Sequence, residues 1–498
     1  MRIFLFVLIV ALLAAGGAWI HAGGAAGPVI EISGPEAVGQ IGDVMVAIET
    51  PGGRLNRLQI ALVQGGNTTP LLDSSIGGPA GSIGGPASSI GGPAGAATDA
   101  NTGITRDGDD RLQIIRAIGK RAIPSLVAGS AEVQVTAVRP VLFGFREATS
   151  TLTATVTVRL IPPQVAVLSL HHFINQGGSE VVVYRVTPAD SESGVRVGDI
   201  EYRGFPASGA GITSADPALR VAFFALLPNQ DTSVPIHVYA RDTIGNEGTG
   251  TFDFRVFPKQ FRNSRIEVDD AFLSRVVPAI LQNSPEFVVE NPADLVAAYL
   301  RINRDMRKLN NEKISSLAES TSPEILWRGP FKQLINTAVE AGFADQRTYV
   351  YHGEEIDHQV HLGFDLASTM AAPVKASNRG KVVFAGYLGI YGNCVIVDHG
   401  MGLQSLYAHL SSISVQEGQM VDLDAELGRS GSTGLAGGDH LHFTMLLGGN
   451  AVTPIDWWSE QWVQDRVIRK FIEAGAPVEG AGADSSAAVS AVSADATL

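Results

Sequence analysis

Cysteine is almost absent from this chain. Its 498 residues include one, Cys394, so no intrachain disulfide can form. Cys394 lies in the apolar run "NCVIVDHG", which predicts a buried, inert thiol. Stability therefore has to come from packing and from any metal the chain binds. Positive charge is also scarce, with 36 Lys and Arg against 50 Asp and Glu. The formal net charge of -14 supplies no phosphate-binding field, which argues against nucleic acid as a partner. The length exceeds what one compact core fills, so two to four domains are expected.

Long apolar runs are missing except at the start. Only Arg2 is charged in "MRIFLFVLIVALLAAGGAWIHAGG", and the apolar run extends from Ile3 to Ile20. About 18 such residues make a candidate membrane span. The small residues from Ala14 to Ala18 also fit the end of a cleaved signal peptide. The anchor is the preferred reading, because the run continues through Trp19 and Ile20. Either way the rest of the chain is expected outside the cytoplasm: in the periplasm on an inner-membrane anchor, or secreted if the segment is cleaved.

Beyond this segment, short alternating runs dominate. "VMVAIET", "RLQIALVQ", "AEVQVTAVR" and "STLTATVTVRL" predict a β-sandwich over residues 27–160. Within it, "SIGGPAG", "SIGGPAS" and "SIGGPAG" repeat between Ser75 and Gly95. Two glycines and a proline per unit exclude a coiled coil, so this reads as a flexible insertion. A second, immunoglobulin-like sandwich is expected over residues 161–258, from runs such as "SEVVVYRV", "RVAFFAL" and "PIHVYARD". His171, His172 and His237 fall there and read as strand-end or surface residues.

The period then changes. Leu295, Tyr299, Ile302, Met306 and Leu309 recur three and four apart, which predicts a helical connector within residues 265–320. Asn291 and Pro292 are its expected N-cap and first helical residue, with Asp294 in the first turn. A last domain is expected over 324–460. The Ala/Ser/Gly-rich tail, 472–498, is expected to be disordered.

Seven of the eleven histidines lie between residues 350 and 443. Histidine is the side chain best suited to zinc ligation and to proton transfer at neutral pH. Three segments sharpen that clustering. In "HLGFD", a fully extended strand would separate His361 and Asp365 by about 13 Å, at about 3.3 Å per residue. Zinc needs ligand atoms within about 2 Å, so the backbone has to turn between them. Gly363 is the residue expected to permit the turn. "SLYAHLS" places His409 near a strand end. "GGDHLHF" places His440 and His442 on one strand face, about 7 Å apart by the same rise. Alone, His-x-His is weak. A cupin would want a following Glu, and Thr444 to Leu447 offers none.

The ordered set His-x-Gly-x-Asp, Tyr-x-His-Leu and Gly-x-x-His-Leu-His-Phe is far more specific. With "PVKASNRGKVVFAG", "YGNCVIVDHG" and "VQEGQMVDLDAELGRSGSTG", it makes residues from about 327 to 458 resemble the lysostaphin-type (LytM-domain) zinc endopeptidases of bacterial cell walls. The resemblance covers about a quarter of the chain. It implies that His361, Asp365 and His442 are ligands of one Zn2+, and that His409 and His440 are two second-sphere catalytic histidines. Two imidazoles and a carboxylate leave a fourth tetrahedral position open, as catalytic zinc requires. How His409 and His440 divide proton transfer and oxyanion stabilisation is left open.

Around them, Tyr391, Gly392, Asn393 and "SGSTG" are expected at the groove. Asp439 is expected to orient His440 or cap a turn. His399 reads as a turn residue, His352 and His358 as surface residues at the groove entrance, and Trp457 and Trp458 as core. The expected fold is thus mainly β and multidomain: a membrane segment, two β-sandwiches, a helical connector and an antiparallel β metallopeptidase domain. The expected function is hydrolysis of peptidoglycan cross-links in the envelope, with the sandwiches as surfaces for envelope protein partners. The alternative is a non-catalytic regulator that activates a cell-wall amidase.

Overall fold

The computed structural model describes residues 2–50, 55–75, 97–99, 103–107, 110–212 and 216–474. The SIGGPA repeats, from residue 76 on, and the tail from 475 on lie outside the described residues. Residues Arg2–Gly23 form a helix. The expected membrane segment is not supported, because among the described residues no helix is long and apolar enough to cross a membrane. The chain divides into two compact units, Met1–Pro162 with Thr243–Asn246, and Pro163–Asp242 with Glu247–Leu498.

The first unit holds two five-stranded sheets. Strand Asp43–Glu49 buries Val44, Val46 and Ile48 and turns its other side chains outward. Strand Arg57–Gln64 does the same with Leu58, Ile60 and Leu62. The two inward rows meet Val133, Val135 and Val156 in one core. Each such side chain contributes about 1.5–3 kcal/mol on burial, so the period-2 pattern selects which face of each sheet turns inward.

The second unit opens on two four-stranded sheets over residues 164–250. Strand Ser179–Thr187 does not alternate, because its first six residues are all buried. Its second face is covered by the C-terminal segment. Trp457 Nε1 donates to Ser179 Oγ at 3.3 Å, and Lys470 pairs with Glu180. His172 opens the strand His172–Asn175, the strand-end position of the two expected for it. It is buried, with Nε2 2.9 Å from Ser169 Oγ and Nδ1 3.1 Å from the Asp253 carbonyl.

Asp456 joins the same junction, accepting from the Ser179 amide at 3.3 Å and from Asn175 Nδ2 at 3.4 Å. Burial pushes its carboxyl up to about 6. An unfolded Asp titrates near 3.9, so the folded chain binds the extra proton in between. The resulting stability is fully present below about pH 4 and is lost as pH rises through about 6. Asp456→Asn is expected to remove that part of the slope, read as the difference between wild-type and variant urea midpoints from pH 4.5 to 7.

The helical segment consists of Asp270–Asn283, Leu295–Arg301, a π-helical turn Ile302–Met306, and Arg307–Ala318. Its second helix is capped by Asp294, which accepts from the Ala297 amide at 3.0 Å, rather than by Asn291. The predicted apolar seam holds through Tyr299, Ile302 and Met306 and then fails, because Leu309 is 51% exposed. The π turn is the reason. Its wider winding rotates the following face, so Asn310 and Ile314 are buried instead.

This segment is built into the last domain. Asn303 Nδ2 and Arg304 Nε donate to the two carboxylate oxygens of Asp357, each at 2.8 Å. Asn310 Oδ1 accepts from the Ile390 amide at 3.0 Å. Strand Asn263–Val268 pairs in parallel with Asp345–Tyr351, which pairs antiparallel with Glu354–His361. Beyond it, an eight-stranded sheet runs through Ala338–Ala341, Phe364–Ala367, Leu441–Leu447, Leu403–Leu410 and Asn393–Gly400 to its far edge. Strands Leu403–Leu410 and Leu441–Leu447 are buried at every position.

Candidate metal centre

The antiparallel register builds the site. Asp365 stands opposite His442, and His442 stands opposite Ala408 on the next strand. The row thus carries a carboxylate and an imidazole side by side on one face. His361 ends the strand Glu354–His361, which belongs to a different sheet from Phe364–Ala367. The chain changes sheets between them, and that is how two residues four apart converge.

Gly363 sits at the bend in this crossing, where the turn is expected. A Cβ there would lie 2.5 Å from His442 Nε2 and 2.6 Å from Thr444 Oγ1. Room for the metal-site histidine, rather than a left-handed backbone, excludes a side chain. Gly363→Ala is therefore expected to displace His442 and abolish metal retention, checked by metal content of the purified variant.

His409 follows Ala408, and regular alternation would send its side chain to the other face. Its φ of +62° breaks the alternation. The ring comes to rest 5.0 Å from His440 and 5.7 Å from His442, centroid to centroid. His440 is fixed by antiparallel bridging to Gly431, whose carbonyl accepts its amide at 3.0 Å. All five residues, His361, Asp365, His409, His440 and His442, are buried.

His361 Nε2, Asp365 Oδ1 and His442 Nδ1 lie 2.9–3.0 Å from one another. Their outer partners decide where the protons are. His361 Nδ1 faces the Gly342 carbonyl at 3.0 Å, which can only accept. The neutral ring therefore carries its proton on Nδ1 and a lone pair on Nε2. Thr444 Oγ1 donates to the Leu362 carbonyl at 2.9 Å and so accepts from His442 Nε2 at 3.0 Å. That leaves the lone pair of His442 on Nδ1. Two nitrogen lone pairs and a carboxylate oxygen thus face one another, and a metal ion between them, or a proton on one ring nitrogen, relieves the repulsion. Zinc bonds of about 2.0–2.1 Å in a tetrahedron place ligand atoms roughly 3.3 Å apart, close to the spacing here. The donor set fits zinc, and outer partners that accept from ligating imidazoles are the usual support of such sites.

The other two histidines are anchored in the opposite sense. His409 Nδ1 donates to the Thr433 carbonyl at 2.8 Å, and His440 Nδ1 to the Gly438 carbonyl at 2.9 Å. Each leaves Nε2 uncommitted to a carbonyl. Burial, with His440 and His442 nearby, holds His409 well below the usual histidine range. Burial also opposes charge on His440, but the hydrogen bond and charge of Asp365 outweigh it and raise its pKa. His442 is pushed down to about 4, chiefly by burial. Burial opposes ionisation of Asp365 as well, yet His361, His440 and His442 together hold it well below the usual carboxylate range.

The flanking expectations divide. Tyr391 lies beside the site, 5.8 Å from the His442 ring, with its hydroxyl on Asn311. The "SGSTG" loop supplies the Thr433 carbonyl, and Thr433 Oγ1 accepts from the Asn393 amide at 2.9 Å. Asp439 does not orient His440. It accepts from the Ala371 amide and from Ser430 Oγ, tying two loops together. His399 is a buried strand residue between the Arg379 carbonyl and Ser405 Oγ. His352 and His358 are exposed, and Trp457 is fully buried. Cys394 is fully buried, and burial pushes its thiol pKa up.

Sequence reasoning missed Arg347. Its Nη2 donates to Asp365 Oδ2 at 3.0 Å. It also missed Thr444 and the Gly342 carbonyl. The two-residue spacing of Thr444 from His442 on one strand face was the available signal.

Residues 359–454 match the model of peptidase family M23, so this stretch is an M23, LytM-type domain. Three curated relatives carry the comparison further. DD-carboxypeptidase/endopeptidase Mpg of Neisseria meningitidis is 35% identical over 24% of this chain and 27% of its own length. Peptidoglycan DD-endopeptidase ShyA of Vibrio cholerae is 38% identical over 18% and 21%. The murein hydrolase activator EnvC of Escherichia coli is 33% identical over 21% and 26%. The chain thus spans about a quarter of the length of the curated relatives it matches. Among solved structures, the catalytic domain of lysostaphin from Staphylococcus simulans is 29% identical, over 25% of this chain and 92% of that domain, with a TM-score of 0.22.

Proposed function

We propose that the protein is a zinc-dependent endopeptidase that hydrolyses peptide cross-links of peptidoglycan in the bacterial cell envelope. The observation that carries the reading is the convergence of three proton-free ligand atoms, each fixed by its outer partner. His361 Nε2, Asp365 Oδ1 and His442 Nδ1 would hold the ion. Once bound, zinc supplies Lewis acidity toward a scissile carbonyl and lowers the pKa of water.

The chain's own residues do the rest. His409 and His440, each tethered through Nδ1, present Nε2 to the reacting atoms. A neutral Nε2 takes up a proton, and a protonated one gives it back to the leaving amine or to an oxyanion. Arg347 occupies Asp365 Oδ2, which leaves Oδ1 for the ion. Endopeptidase activity is supported by the relatives Mpg and ShyA, both endopeptidases by name, and the peptidoglycan substrate by ShyA, a peptidoglycan DD-endopeptidase by name.

EnvC favours a second reading, that of an envelope regulator that activates a cell-wall amidase. The intact ligand set speaks for the enzyme. Isolated sacculi treated with the purified protein separate the two readings. Chelator-sensitive release of peptide material supports the first. Release only when an amidase is added, with no metal retained after dialysis, supports the second.

A further inference from the structure

The matched domain begins at residue 359, yet the metal centre is braced from well before it. Strand Asp345–Tyr351 places Asp345 and Arg347 two apart, on one face. Asp345 stands directly opposite His361, and the Ala344 amide donates to the His361 carbonyl at 2.7 Å. Arg347 Nη2 reaches Asp365 Oδ2 at 3.0 Å. Its Nε lies 3.5 Å from Asp345 Oδ2, close enough for charge attraction but without hydrogen-bond geometry. Asp345 is buried, and its other oxygen accepts from Ser264 Oγ at 2.8 Å. Ser264 sits on strand Asn263–Val268, in register with Arg347 itself.

One guanidinium therefore stands between two buried carboxylates, and only one of them faces the metal position. A carboxylate is free to rotate about its last bond and to exchange its two oxygens. A charge-assisted bond to a planar guanidinium removes that freedom. We propose that Arg347 is a positioning residue for the metal centre. It fixes the Asp365 carboxylate so that Oδ1 is offered to the ion, and Asp345 and Ser264 hold Arg347 in turn. The strand Asn263–Val268, which lies outside the matched family domain, is thereby part of the metal site. This rests on reading His361, Asp365 and His442 as ligands.

The test is zinc affinity of the full chain, measured by competition with a chromophoric chelator, for wild type, Arg347→Met, Arg347→Lys and Ser264→Ala. Removing an outer-shell partner typically weakens metal binding by about 10–100-fold. Arg347→Met is expected in that range, Arg347→Lys between it and wild type, and Ser264→Ala weaker than wild type by a smaller factor. The absorption spectrum of the cobalt-substituted protein is expected to change in Arg347→Met, since the carboxylate geometry changes. Melting of the metal-free proteins separates this from a general loss of fold. Equal zinc affinity and an unchanged cobalt spectrum in Arg347→Met overturn the proposal. Should that variant fail to fold, Arg347→Lys decides, and wild-type affinity there overturns it. Wild-type affinity in Ser264→Ala overturns the upstream half. A wild-type protein that binds no zinc removes the functional reading and this inference together.

Discussion

The His442→Ala protein is expected to lose metal and activity together, whereas His440→Ala is expected to keep its metal and lose activity. The two residues lie two apart in sequence, and spacing alone makes them equivalent. Their outer partners separate them. His442 Nε2 donates to Thr444, which turns Nδ1 toward His361 Nε2 and Asp365 Oδ1 at 3.0 Å. His440 Nδ1 is taken by the Gly438 carbonyl, and its Nε2 stands 3.5 Å from Asp365 Oδ1, outside the tight cluster. Without His442 two protein ligands remain, too few for a retained catalytic zinc. Activity then falls to that of the chelated wild type. Without His440 the three ligands are intact, and the loss is that of a proton-transfer or oxyanion group, about 10²–10⁴-fold. Metal analysis by plasma emission beside a cleavage assay reads both. Equal metal loss in the two variants would make His440 a ligand and contradict the assignment.

The second large effect lies far from the metal. Lys470→Met is expected to destabilise the protein by about 3–5 kcal/mol, because it leaves a buried carboxylate without its counter-charge. Both partners are fully enclosed, with side chains 2% and 0% exposed. The Glu180 carboxylate also accepts from the Phe173 amide at 2.9 Å and the Val181 amide at 2.8 Å, and Lys470 Nζ also reaches the Val181 carbonyl at 3.1 Å. Burial pushes Glu180 up and Lys470 down, although each holds the other's charge. The single variant should therefore regain stability in acid, where Glu180 protonates and the uncompensated charge disappears. The double variant Lys470→Met, Glu180→Leu should recover most of the loss at neutral pH, since a well-packed apolar pair often matches a buried ion pair. Urea denaturation of the three proteins checks the ordering.

How much of the structure was legible in the sequence depends on the element. The strands of the first sandwich were, because one solvated face gives clean alternation at Val44, Val46 and Ile48. Strand Ser179–Thr187 carries no alternation, since the C-terminal helices cover its second face, and a partner nearly 300 residues away leaves no local trace. The helical seam was readable up to Met306. The π turn then moved Leu309 outward, and no local residue type announces such a turn. At the site, the motif residues His361, Asp365, His409, His440 and His442 all come together in one buried cluster. Of the groups that fix their protons, Gly342 and Thr444 lie outside the quoted motifs, while Thr433 and Gly438 lie inside "SGSTG" and "GGDHLHF". Three of those partners are backbone carbonyls, of Gly342, Thr433 and Gly438, which any residue could supply. The sequence also hides how His409 joins the cluster, because a positive φ on a histidine is imposed by its surroundings.

The central claim is that this site hydrolyses a peptide cross-link of peptidoglycan. Digesting a defined cross-linked muropeptide dimer with the full-length protein, and weighing the products by mass spectrometry, tests it most directly. The account predicts two monomers whose masses sum to the dimer plus one water, formed by the zinc-loaded protein and not by the chelated one. An intact dimer after prolonged incubation with zinc-loaded protein would contradict it.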